Sequence, residues 1–139
     1  MVKYLLDTNV LGELRKKSGA SQVKKWIAGH PSSDLAISVV TVIEIETGIL
    51  RVARRDAEQA ALLTRWFEDR VLTGFADRIL PLDLVSARRV APLHVPDPAP
   101  SHDALIAGTA LAHGLVVVTR NEADFRRVGV DIVNPWVEK

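Results

Sequence analysis

The chain of 139 residues contains no cysteine. Disulfide cross-links and thiolate metal centres are thereby excluded, so any bound metal must sit on oxygen or on histidine nitrogen. A thiol-free sequence suits a reducing compartment, and a cytoplasmic protein is expected. Long apolar runs are missing as well. The opening Met1-Val2-Lys3-Tyr4-Leu5-Leu6-Asp7 soon meets a charge and is too short for a signal peptide or a membrane span, so no membrane partner is expected. Nor is there an excess of one charge: 18 Lys and Arg face 17 Asp and Glu, a net charge of +1. That balance argues against a strong non-specific DNA binder. His30, His94, His102 and His113 show no His-Glu-x-x-His spacing. A Gly-rich phosphate loop and a Gly-x-Ser-x-Gly elbow are also absent, which weighs against a doubly wound nucleotide-binding domain.

What is present fits one compact domain spanning residues 1–139. Apolar residues make up 47% of the chain, enough for a core, and charged residues 25%, enough for a hydrated surface. Short apolar, largely β-branched segments read as strands at Val2–Leu6, Leu35–Val40, Arg78–Leu82, Leu115–Thr119 and Asp131–Val133. Helical periodicity fills the intervals. One helix opens near Val10, and a second runs from Ser21, the candidate N-cap, with Val23, Trp26 and Ile27 on one face. Others cover Asp56–Leu72, Asp83–Leu93 and Asp103–His113, the last ended by Gly114. Strands alternating with helices predict an α/β domain whose mostly parallel sheet is covered on both faces. Pro92 to Pro100 holds four prolines and reads as a loop leading into the Asp103 helix, either a plain connector or a specificity element.

Four acidic motifs stand where a strand gives way to a helix or a helix begins: Leu5-Leu6-Asp7-Thr8-Asn9, Thr41-Val42-Ile43-Glu44, His102-Asp103-Ala104-Leu105 and Thr119-Arg120-Asn121-Glu122-Ala123-Asp124-Phe125. A carboxylate beside apolar residues costs several kcal/mol unless it is compensated. Convergence on a divalent cation is one compensation. Each acid also has a plainer reading. Asp7 can cap the helix that follows it. Thr41-x-x-Glu44 has the form of a capping box, and Ile43, Ile49 and Leu50 suggest that its helix buries much of its girth. Asp103 and Asp124 can be first-turn charges, and Asn121 a turn residue or N-cap. His102 adjoins Asp103. Trp26, Trp66 and Trp136 read as core or interface anchors rather than base-stacking platforms. Basic clusters such as Arg15-Lys16-Lys17, Arg88-Arg89 and Arg126-Arg127 read mainly as solvated helix faces, with one or two left to rim a phosphate groove.

Taken in order, these motifs resemble the PIN-domain family and, within it, the VapC-like toxins of type II toxin–antitoxin systems. The resemblance is carried by Leu6-Asp7-Thr8-Asn9-Val10, by Ile37-Ser38-Val39-Val40-Thr41-Val42-Ile43-Glu44-Ile45, by Asp103-Ala104-Leu105-Ile106-Ala107 and by Val118-Thr119-Arg120-Asn121. Arg78-Ile79-Leu80-Pro81-Leu82-Asp83 and the ending Asn134-Pro135-Trp136 look like its FitB-like branch. The resemblance implies a three-layer domain with a five-stranded parallel sheet. It implies a Mg²⁺- or Mn²⁺-dependent ribonuclease, with the metal on Asp7, Glu44, Asp103 and a fourth group, and with Thr8, Asn9 and Thr119 supporting those ligands. Many members carry Asp where this chain has Asn121, so either Asn121 or nearby Asp124 fills the fourth place, and Asp124, the only charged choice, is expected to. Gly108 stands where Ala is usual, which is expected to weaken its helix slightly. The resemblance further implies an RNA substrate, a homodimer, and a VapB-like antitoxin through which promoter DNA is reached. The competing expectation is a catalytically weak PIN-fold partner that acts as a co-repressor.

Overall fold

The computed structural model describes residues 1–137. Its centre is a sheet of five parallel strands in the order β3-β2-β1-β4-β5. The strands are β1 (Tyr4–Leu6), β2 (Leu35–Ser38), β3 (Ile79–Leu80), β4 (Val116–Val118) and β5 (Ile132–Val133). Leu5 lies opposite Ala36 on one side and Val117 on the other, and Val117 lies opposite Ile132. These strands are shorter than the apolar runs suggested, but the flanking residues keep the ladder. Lys3 N donates to Asp34 O, Ile37 N to Arg78 O, Val117 N to Asp131 O and Thr119 N to Val133 O, at 2.8–3.1 Å. The difference lies in where a strand is said to end.

Side chains alternate across the sheet and split the core in two. Leu6, Leu35, Ile37 and Val118 face one layer, which holds α1 (Thr8–Arg15), α2 (Ser21–Ala28) and α4 (Ala57–Trp66). Leu5, Ala36 and Val117 face the other, with α6 (Ser101–His113) and α7 (Glu122–Arg126). The long α3 (Val39–Ala53) reaches both cores, with Val40 in one and Ile49 in the other. The three-layer α/β expectation therefore holds. No helix among the described residues is long and apolar enough to cross a membrane.

Helix ends follow the local sequence where a short polar side chain or a glycine supplies a cap. Asp56 Oδ1 accepts from Gln59 N at 3.0 Å and Asp83 Oδ1 from Ser86 N at 2.9 Å, opening α4 and α5 (Leu84–Val90). Gly114, at φ +66°, closes α6 in the left-handed conformation. Beyond Trp66 the α4 helix widens into a π-type turn over Phe67–Leu72.

Several expectations need correction. Ser21 is the first residue of α2 and not its cap; Ala20 takes that place without a side-chain bond. The capping box at Thr41 does not form, because Ser38 already caps α3, its Oγ accepting from Val40 N at 3.0 Å. Thr41 lies within the first turn, and Glu44 projects from the second. Nor does α3 bury most of its girth: Ile43 is 56% exposed and Leu50 64%. The proline-rich stretch is not all loop, since Ala91–His94 form a 3₁₀ turn. Arg127 Nη2 and His94 Nδ1 then pin the rest through Pro98 O and Ala99 N.

Gly108 has a packing reason. It is buried where α6 crosses α5, and a Cβ there would collide with Val90 Cγ2 and lie 3.1 Å from Ser86 O and Val90 N. The helix gives up some intrinsic propensity so that the two backbones can approach closely.

Candidate active site

The chain runs outward from β1 to β2 and β3, then returns to add β4 and β5 on the other side. The order therefore reverses between β1 and β4, the place where open α/β sheets bind ligands beyond their strand ends. The segment after β1 turns into α1 on one face, and that after β4 into α7 on the other. The resulting crevice receives Asp7 from β1 and Thr119 from β4.

Asp7 is 4% exposed and anchored on three sides. Its Oδ1 accepts from Thr8 N at 2.8 Å, and its Oδ2 accepts from Thr119 Oγ1 at 2.8 Å and from Asn9 Nδ2 at 3.3 Å. It is the N-cap of α1 and also an acid at the switch point, so the two readings of its role are compatible. Burial pushes its carboxyl above the usual carboxylate range. The bonds from Thr119 and Thr8 oppose this, and the Glu44 charge adds to it. Thr119 is fully buried, and its hydroxyl accepts from Asn121 N at 3.0 Å while it serves Asp7.

Glu44 approaches from α3. Its Oε1 accepts from Thr8 Oγ1 at 2.9 Å, and Thr8 Oγ1 lies 3.1 Å from Thr41 Oγ1. The three-residue spacing of Thr41 and Glu44 thus puts both on one helix face toward Thr8, although for a purpose other than capping. His102 Nδ1 lies 3.4 Å from Glu44 Oε2, so the histidine beside Asp103 is at the site's margin.

Asp103 stands in the first turn of α6 and is partly buried. Its carboxyl is pushed up from 3.8 to about 6, first by desolvation, then by the Asp7 and Asp124 charges, by a hydrogen bond shared with the Asp124 carboxyl, and by Glu44. Asp103 thus feels Asp7, Glu44 and Asp124, which come from three other segments of the chain. Asn121 differs: it occupies the N-cap position of α7, is exposed and makes no side-chain cap bond.

Among the described residues, no three His, Asp or Glu side chains form a ready-made metal cage. The donor set nevertheless fits a hard cation. It is all oxygen, neighbouring carboxylates raise the proton affinity of Asp103 and of Asp7, and Asn9 Oδ1 is buried with no hydrogen-bond partner among the described residues. Mg²⁺ is commonly held by one or two carboxylates with water completing the shell, and so does not require a closed protein cage.

Sequence reasoning passed over Thr41 as a site residue, and it left Arg120 and Trp136 without a role there. Arg120 directly follows Thr119, and its guanidinium lies 5.6 Å from the centre of the Trp136 ring. Trp26, Trp66 and Trp136 all pack, partly buried, against the core on the α1 side, as expected of anchors. Trp26 also stacks on His30 at 3.8 Å between ring centres.

Comparison with known proteins agrees with this architecture. The PIN domain family matches residues 4–131. The chain is 35% identical over 137 residues to VapC ribonuclease Y4jK of Sinorhizobium fredii, covering 95% of this chain and 96% of that protein. It is 32% identical over 138 residues to toxin FitB of Neisseria gonorrhoeae, covering 95% and 97%. It also superposes on a chain of the structure of FitAB bound to an IR36 DNA fragment, with a TM-score of 0.89 and 29% identity over 98% of this chain and 97% of that one.

Proposed function

This chain belongs to the PIN-domain family, and we propose that it is a Mg²⁺- or Mn²⁺-dependent endoribonuclease acting as the toxin of a type II toxin–antitoxin pair. The observation that carries the reading is the convergence of Asp7, Asp124 and Glu44 on Asp103 at the switch point, where all three raise its proton affinity. A relative named as a ribonuclease and another named as a toxin, each matched nearly end to end, support it.

In this reading Asp7 and Asp103 would hold the ion, with Glu44 and Asp124 as the further carboxylates of the set. The bound ion supplies a lowered pKa for the attacking water and neutralises charge on the scissile phosphate. The chain's own residues do the positioning. Thr119 and Asn9 fix the Asp7 carboxylate, and Thr8 fixes Glu44. Glu44, partly exposed, orients the attacking water and takes its proton. Asp103 would have to lose its proton to hold an ion, so loading would weaken as the pH falls through about 6.

The partners are an RNA substrate, a second copy of this chain, and a small VapB-like antitoxin that brings the complex to promoter DNA. The likeness to FitAB bound to DNA supports the last of these. The neutral Asn121, whose side chain makes no bond at the site, keeps one rival reading: a weakly catalytic co-repressor. Purified protein separates the two. Cleavage of RNA should require Mg²⁺ or Mn²⁺ and stop in EDTA. Asp7→Asn and Asp103→Asn should abolish it while circular dichroism stays native. Full cleavage by either variant at saturating metal would remove the proposed ligand set, and no cleavage by wild type would favour the co-repressor.

A further inference from the structure

Four carboxylates in one crevice repel the RNA backbone that must enter it, and a bound cation offsets only part of that charge. A substrate subsite should therefore place a fixed positive charge near the cluster. Arg120 is the basic residue joined directly to it. Its neighbour Thr119 holds Asp7, and Arg120 itself is exposed. Among the described residues it has no ion-pair partner, and its guanidinium lies over Trp136 instead.

Trp136 is fixed at the same edge of the sheet. β5 runs parallel to β4, so the two strands end together, and Asn134 and Pro135 carry the chain on to the indole. Asn134 Oδ1 accepts from Trp136 N at 3.0 Å, and Asn134 Nδ2 donates to Glu122 Oε2 at 3.1 Å. Glu122 also pairs with Arg126 at 2.8 Å, which leaves the Arg120 guanidinium for the ring. The indole is half-buried against the core. A guanidinium 5.6 Å from the centre of a braced aromatic ring sets a positive charge beside a stacking surface, and single-stranded RNA is commonly read by stacking on aromatic and guanidinium planes.

We propose that Arg120 and Trp136 form a subsite for the nucleotide next to the scissile phosphate, Arg120 contacting the backbone and the Trp136 indole stacking the base. The inference rests on the ribonuclease reading above and adds the residues that hold the substrate. It makes one tryptophan a base platform as well as a core anchor.

The test uses the full chain carrying Asp7→Asn, which permits Mg²⁺ without cleavage, and a fluorescent single-stranded RNA of roughly 12 nucleotides, a length typical of single-strand grooves. Anisotropy gives Kd across a salt series. Adding Arg120→Ala should raise Kd about tenfold and lower the log–log salt slope by about 0.7, the loss of one phosphate contact. Adding Trp136→Leu should raise Kd about tenfold and leave the slope unchanged, and Trp136→Phe should keep binding within about threefold. In the otherwise wild-type chain, each of these two losses should raise KM with little change in kcat, whereas a purely structural role would lower both. If Trp136→Leu melts early, Arg120→Ala and Trp136→Phe decide the matter. Unchanged Kd in Arg120→Ala, with wild type cleaving RNA, overturns the subsite alone. If wild type does not cleave RNA and the Asp7→Asn chain does not bind it, the ribonuclease reading falls with it.

Discussion

Replacing Asp103 with Asn should make the metal-free protein more stable at neutral pH. Asp103 has a folded pKa of about 6 against 3.8 for the free group. The folded chain therefore holds this proton more tightly than the unfolded chain does. Its favourable contribution is complete below 3.8 and is lost as the pH rises through about 6. Above that, the carboxylate is ionised in both states and the fold bears the whole penalty. At about 1.4 kcal/mol for each tenfold change in proton affinity, the undiscounted penalty is ~3 kcal/mol. Asp103 is only partly buried, and solvent screening reduces this to about 1 kcal/mol. Asn keeps the shape and loses roughly 0.3 kcal/mol of helix-dipole attraction, which does not reverse the sign. Thermal melts in EDTA at pH 7.5 should place Asp103→Asn roughly 3 °C above wild type, with the gap narrowing as the pH falls through about 6 and closing only below 3.8. Mg²⁺ should then raise the melting point of wild type far more than that of the variant. A variant that melts below wild type at pH 7.5, or a gap that ignores pH, would show that Asp103 is a helix-end charge and that the crowding of acids is not what strains the site.

Asp124→Ala should cost more kcat than Asn121→Ala, because the Asp124 carboxyl acts directly on Asp103 whereas the Asn121 side chain makes no cap bond and carries no charge; the reverse order would give the amide the fourth place. Gly108→Ala should lower stability in urea by about 1–2 kcal/mol, because overpacking against α5 outweighs the helix propensity gained. A more stable Gly108→Ala would mean that α5 moves aside at little cost.

The layers and the sheet were legible because burial writes a period into the chain. Leu5 and Leu6, or Ala36 and Ile37, are neighbours in sequence that serve opposite cores, and only a strand covered on both faces asks for that. The crevice was legible through Asp7, Glu44 and Asp103, which come from different segments but share one electrostatic environment. What was not legible depended on competition or on contact. Thr41-x-x-Glu44 matches a capping box, but Ser38 lies nearer the true helix start and takes the cap. Ile43 and Leu50 look like core, but α3 is held by other residues and leaves them in solvent. Gly108 looked like a weakness because the Val90 side chain above it is eighteen positions away in sequence. The nearness of Arg120 to Trp136 depends on where β4 and β5 end, which no local pattern records.

The hydrogen bonds divide the acids into two kinds. A hydroxyl has one proton to give. Thr119 accepts from Asn121 N, which leaves its own proton for Asp7. Thr8 lies between Thr41 and Glu44; if it donates to Glu44, the contact with Thr41 is satisfied only by the Thr41 proton. Each of these acids therefore ends a donor chain, and its carboxylate is fixed before any ligand arrives. Asp103 has no such side-chain donor among the described residues, and the Asp124 carboxyl beside it raises its proton affinity instead. One pair of acids is oriented by the fold, and the other waits on the ligand. If the proposed ion binds, Asp7 and Glu44 would meet it already aimed, whereas Asp103 would first have to lose its proton. Ion binding would then depend on pH through Asp103, while the geometry of Asp7 and Glu44 is set by folding.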